Sequence, residues 1–121
     1  MIAKVAVAVG LAVLLAGCSS SPESTLKSFY RAVENQDDAA ALKVLHPVTV
    51  QMMGEKKLKT MLVSQRAEIK RCGGIKDIDV KLDGSDEQKR GTYTITFSGK
   101  CAPKGGRVAM VKLDGSWHLE M

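Results

Sequence analysis

The sequence lacks the short motifs that announce the commonest chemistries. No HxxxH, CxxC or GxSxG pattern and no glycine-rich phosphate loop occurs in its 121 residues, which leaves no residues for the usual metal, redox, acyl-transfer and nucleotide sites. Histidine is limited to two residues and cysteine to three, and they are not spaced as metal ligands. No metal or cofactor is therefore expected. Charge of one sign is also missing: 18 Lys and Arg stand against 13 Asp and Glu, a net +5. That excess is mild and evenly spread, so a nucleic-acid partner is not expected. What is present is an ordinary globular balance, 45% hydrophobic and 26% charged, which excludes disorder for most of the chain. The length is that of one domain.

No apolar run is long enough to cross a bilayer. The longest, Val5 to Ala16, is about twelve residues, which is short for ~30 Å of hydrocarbon but matches a secretory signal core. Lys4 precedes it, and Leu15-Ala16-Gly17-Cys18 ends it. This ending resembles the lipobox of bacterial lipoproteins. The resemblance implies that residues 1–17 are cleaved and that the thiol of Cys18 carries diacylglycerol. The lipid bilayer, reached through acylated Cys18, is then the first partner. Residue 19 is Ser rather than Asp, which in such lipoproteins implies export to the outer membrane, facing the periplasm. Residues 18–21 form the lipidated Cys and tether, and residues 22–121 the single folded domain.

Helical spacing follows. Ser21-Pro22-Glu23 reads as a cap, a first-turn proline and an acid at the positive end of a helix. Leu26, Phe29, Tyr30 and Val33 then recur at one helix face. Asp37 or Asp38 caps a second helix carrying Ala41, Leu42 and Leu45. It is expected to end near His46, because Pro47 disfavours helix in the residue before it. Val48 to Met53 reads as a connector. A third helix is expected from Glu55 to Cys72, with Leu58, Met61, Leu62, Ile69 and Cys72 on its buried face and Gln65 interrupting that stripe. Gly73 and Gly74 end it.

From residue 75 the period becomes two. Ile78, Val80 and Leu82 mark one strand, and Tyr93, Ile95 and Phe97 a second. Ala109, Val111 and Leu113 are expected to be the apolar face of a third. Asp114-Gly115 turns the chain into a last strand with Trp117 and Leu119. The pattern is an α+β domain: three N-terminal helices packed on a four-stranded antiparallel sheet. Pairing the first two strands so that Val80 faces Tyr93 and Ile78 faces Ile95 puts Lys76 opposite Phe97 and brings Cys72 level with Cys101. In an oxidising compartment, with Cys18 taken by lipid, Cys72 and Cys101 are expected to form a disulfide.

The opening from Ser21 to Val33, the Gly73-Gly74-Ile75 junction and Leu113-Asp114-Gly115-Ser116-Trp117 together resemble the lumazine-binding-like lipoprotein branch of the nuclear-transport-factor-two-like superfamily. The resemblance covers essentially residues 21–121. It implies a cystatin-like cone, a curved sheet wrapped around helices, with a pocket at the wide end. The fold hosts isomerases, dehydratases, binding modules and scaffolds, so it does not choose among them. Tyr30, His46, Tyr93 and Trp117 are the pocket candidates, each with a competing structural role. The aromatic residues fit a core equally well. His46 could be a general base or a cation at the end of a helix. His118, opposite in face to Trp117, is expected to be exposed. Lys56, Lys57, Lys59, Arg66, Lys70 and Arg71, with Lys100, Lys104 and Arg107, could form a basic zone or merely a solvated face. No Asp lies in an apolar stripe where its pKa would rise, as an isomerase base would need. No catalytic residue is assigned. The expected function is a non-enzymatic envelope lipoprotein that binds a small apolar ligand or an envelope protein; the alternative is a small pocket enzyme of the isomerase or dehydratase type.

Overall fold

The computed structural model describes residues 21–120. Cys18 and the segment 1–17 lie outside the described residues. Helix α1 (Pro22–Glu34) begins as its residues dictate. The Ser21 hydroxyl accepts the Ser24 N–H at 3.0 Å, Pro22 occupies the first turn, and Leu26, Phe29 and Val33 are buried. Asp37 caps α2 (Asp38–Val44) by accepting the Ala40 N–H at 3.2 Å.

The expected connector is instead a short helix, α3 (Pro47–Met53). Pro47 ends one helix and starts the next. It pushes the residues before it into extended geometry, so α2 stops at Val44, and its fixed φ suits the first turn of α3. His46 caps this new helix: its Nδ1 accepts the Val48 N–H at 3.0 Å. The expected role of His46 as a cation at a helix C-terminus is therefore corrected to that of an acceptor at an N-terminus. Helix α4 (Glu55–Arg71) buries Leu58, Leu62 and Ile69, and Cys72 caps its end.

Strands β1 (Ile75–Gly84), β2 (Gln88–Phe97), β3 (Lys104–Leu113) and β4 (Ser116–Glu120) form one antiparallel sheet in chain order. Ile78 pairs with Ile95, Val80 with Tyr93 and Leu82 with Gly91, the register that the apolar faces require. It slips by one residue near the helix junction. Phe97 pairs with Ile75 rather than Lys76, because a bulge lies between Ile75 and Asp77. Strand β3 also turns over relative to expectation. Val108 and Met110 are its buried residues, and Ala109, Val111 and Leu113 are only half-buried. The run Val108 to Val111 is continuously apolar, so its own pattern does not set a face. Pairing with β2 does, putting Val108 opposite Gly91 and Met110 opposite Lys89.

One core joins Leu26, Phe29 and Val33 of α1, Leu58 and Leu62 of α4, and Ile78, Ile95, Met110 and Leu119 of the sheet. The described residues thus carry a hydrophobic core of their own. Charged side chains lock its joints. Arg66 on α4 donates from Nε to the Val33 carbonyl at 2.7 Å and pairs with Asp38, tying the end of α1 to the start of α2. Glu34 accepts the Ile75 N–H at 2.8 Å, and Arg31 donates to the Ile75 carbonyl at 3.1 Å. The last turn of α1 thus holds both polar groups of the first residue of β1. Glu34→Ala leaves that N–H without its acceptor and should cost about 1–3 kcal/mol, read as a lower denaturant midpoint at unchanged slope.

Candidate functional site

The cone opens into a cleft between α1 and the sheet, with a cavity volume of about 750 Å³, within the usual range for small-molecule sites. Leu26, Phe29 and Tyr30 form one wall, Gln65 of α4 the inner end, and Gly91, Tyr93, Val108 and Leu119 the floor. The floor is bare at Gly91. Its backbone approaches β1 so closely that a Cβ there would overlap the Lys81 carbonyl oxygen. Arg90 and Arg107 also border the cleft, although the pleat turns their side chains to the face opposite Gly91 and Val108.

Tyr30 and Tyr93 meet at the inner end, ring centres 5.4 Å apart and planes tilted by 33°. Phe29 packs edge-on against Tyr30 at 5.1 Å. Beyond the two tyrosines lies a smaller chamber of about 40 Å³, bordered by Gln65, Ile95, Phe97, Glu68 and Lys104. Lys104 donates to Glu68 at 2.6 Å across the space between β3 and α4. That hydrogen bond and the ammonium charge hold the Glu68 carboxyl below its ordinary pKa.

Burial pushes the Tyr30 hydroxyl well above the ordinary phenol range, and the adjoining Tyr93 pushes it further. A group whose folded pKa is raised contributes stability that is complete below its unfolded pKa and lost as pH rises toward the folded value. Stability should therefore fall above about pH 10, by up to ~1.4 kcal/mol per pH unit from this group. Tyr30→Phe should flatten that slope in alkaline denaturation curves.

Gln65 Oε1 is the one buried side-chain polar atom without a hydrogen-bond partner among the described residues. It sits in the apolar stripe of α4, one turn from Leu62 and Ile69.

The structure brings two of the four pocket candidates together, Tyr30 and Tyr93. The other two stand elsewhere. His46 caps α3, and its own N–H donates to the Leu119 carbonyl at 2.9 Å. Trp117 is 9% exposed and belongs to the core, with the Lys112 ammonium 5.8 Å from its ring centre. His118 is half-buried rather than exposed, with Nδ1 3.3 Å from the Leu45 carbonyl oxygen. The basic zone is partly neutralised within the fold: Arg66 is engaged by Asp38, Lys104 by Glu68 and Lys59 by Glu55. Cys72 and Cys101 are joined by a disulfide, with Cα atoms 5.3 Å apart. The residue that sequence reasoning passed over is Gln65. Its signal was there, a polar side chain inside an apolar helix stripe, but without geometry it read as an interruption.

No family model and no curated protein matches the chain. Solved structures do. A candidate NTF2-like transpeptidase from Campylobacter jejuni is 18% identical, with a TM-score of 0.74 over 84% of this chain and 99% of that one. A SEC-C motif protein from Rhodopseudomonas palustris is 17% identical, with a TM-score of 0.59 over 89% of this chain and 83% of that one. At these identities the likeness is one of architecture, and with four helices against a four-stranded antiparallel sheet the chain has the NTF2-like cone fold.

Proposed function

We propose that this protein is an envelope lipoprotein whose cone binds a small apolar ligand without transforming it. The observation that carries the reading is the cleft. Its helix-side wall and floor are mainly aliphatic and phenolic, with Arg90, Thr92, Arg107 and Glu120 along its border and an amide at its inner end, and the one strongly perturbed group on it is a phenol held in its protonated form. Such a lining favours retention of an apolar molecule over proton transfer to it. Acylation of Cys18 would place the cleft a short tether from the outer membrane on its periplasmic side, where apolar molecules partition. Each buried acyl CH₂ contributes about 0.8 kcal/mol to anchoring, and more than one chain makes it stable.

Three measurements test this. Titration of 1-anilinonaphthalene-8-sulfonate into purified residues 19–121 should give saturable fluorescence at one site, weakened by Tyr93→Ala with the fold retained. Absence of saturable binding would refute the ligand reading. Turnover of a small carbonyl or hydroxylated substrate by the same protein, lost in Tyr30→Phe, would decide for the isomerase or dehydratase alternative. Mass spectrometry of the membrane-extracted protein should find acylated Cys18 as its first residue. An intact Met1 would refute the anchor.

A further inference from the structure

Gln65 borders the cleft with an unpaired amide oxygen. Its Oε1 is removed from solvent and meets no donor. Tyr30 and Tyr93 border the same inner end, yet neither hydroxyl supplies one. A buried carbonyl oxygen left in this condition is unusual, because native interiors pair nearly all such atoms. It is also placed where a ligand would end. Gln65 borders both the large cleft and the small chamber beside the tyrosines, so a molecule that reaches the boundary between them meets it. The lining around it, Phe29, Tyr30, Val108 and Leu119, is mainly carbon. We infer that the ligand is an apolar molecule with one hydrogen-bond donor at its leading end, an N–H or O–H, and that Gln65 selects for that donor.

This rests on the ligand-binding reading of the cleft and adds a direction to it. Discrimination arises because a ligand without the donor leaves Oε1 unpaired in the complex, whereas a ligand with it makes the missing bond once the amide turns toward it.

Indole and benzofuran form a suitable pair of probes, nearly identical in shape and differing by the ring N–H. Each is titrated by NMR into residues 19–121, following the side-chain amide of Gln65 and the rings of Tyr30 and Tyr93. Indole is expected to bind about tenfold more tightly and to shift the Gln65 amide. In Gln65→Leu the preference should vanish, with benzofuran binding as well as before or better. Gln65→Met serves as a second variant should Leu disturb the helix. Equal affinities in the unmodified protein, or a preference that survives both substitutions, would overturn the role of Gln65 while leaving the cleft a ligand site. Binding of neither probe by a protein that still binds the fluorophore would overturn the role of Gln65 alone, and with no saturable fluorophore binding either, both readings fall.

Discussion

Reduction of the Cys72–Cys101 bond, or its removal by Cys101→Ser, should lower the melting temperature by roughly 12–30 °C. The bridge spans 29 residues of sequence, and closing a loop of that length is worth about 3–4 kcal/mol in the chain-entropy model. A domain of about 100 residues loses roughly 4–8 °C per kcal/mol. The loop closed is one that matters. It contains all of β1 and β2, and its ends lie where α4 gives way to the sheet. There Gly73, at φ +86°, lies so close to Gly99 that a Cβ would come within 2.7 Å of the Gly99 nitrogen, and the Gly99 N–H donates to the Cys72 carbonyl at 2.9 Å. Without the covalent link this junction would rest on hydrogen bonds between two glycine-rich turns. Titration of free thiols in unfolded, unreduced residues 19–121 checks the bond itself: none should react. A melting temperature unchanged by reductant would show that the native bridge adds no stability.

Gly91→Ala should be as damaging by a different route. The added methyl has no space, since it would overlap the Lys81 carbonyl oxygen across the β1–β2 ladder. The obstacle is backbone, not a flexible side-chain end, so the two strands must separate for the methyl to fit. A cost of about 3 kcal/mol, at the upper end for overpacking, is expected. Because Gly91 is also the floor of the cleft, ligand binding should weaken beyond what the stability loss alone explains. Thr92→Ala on the exposed face next to it should change stability by less than about 0.5 kcal/mol. Equal behaviour of the two variants would refute the close approach.

Much of this architecture is legible in the residues because each feature has a local cause. Ser21, Pro22 and Glu23 mark the start of α1 through capping chemistry alone. The β1–β2 register follows from Ile78, Val80, Tyr93 and Ile95, since a slip of one residue would turn those side chains outward. The readings that failed depend on partners distant in sequence. Whether Val108 or Ala109 faces inward is decided by the strand beside it, because both are apolar. Whether Pro47 opens a coil or a helix depends on His46 finding the Val48 N–H. The candidate site is a sharper case. Tyr30 and Tyr93 each belong to a recognisable stripe, but stripes report burial and not which buried residues share a void. Gln65 becomes visible only when every donor around it can be counted.

A four-stranded sheet that does not close leaves two outer strands, and the chain treats them differently. Along β4 the backbone is met from outside. Leu45 bridges Leu119 in parallel, and the His46 N–H takes the Leu119 carbonyl, so the junction between α2 and α3 serves as a half-strand laid over the border. Along β1 such cover is confined, among the described residues, to its first residue, where Glu34 and Arg31 hold the Ile75 N–H and carbonyl. Instead Lys76, Asp77, Asp79, Lys81 and Asp83 are all exposed there, and the bulge after Ile75 breaks the regular spacing of the ladder. A second chain adding itself as a fifth strand would have to desolvate those charges on one side or displace Leu45 and His46 on the other. Both borders thus resist templated aggregation by a further strand.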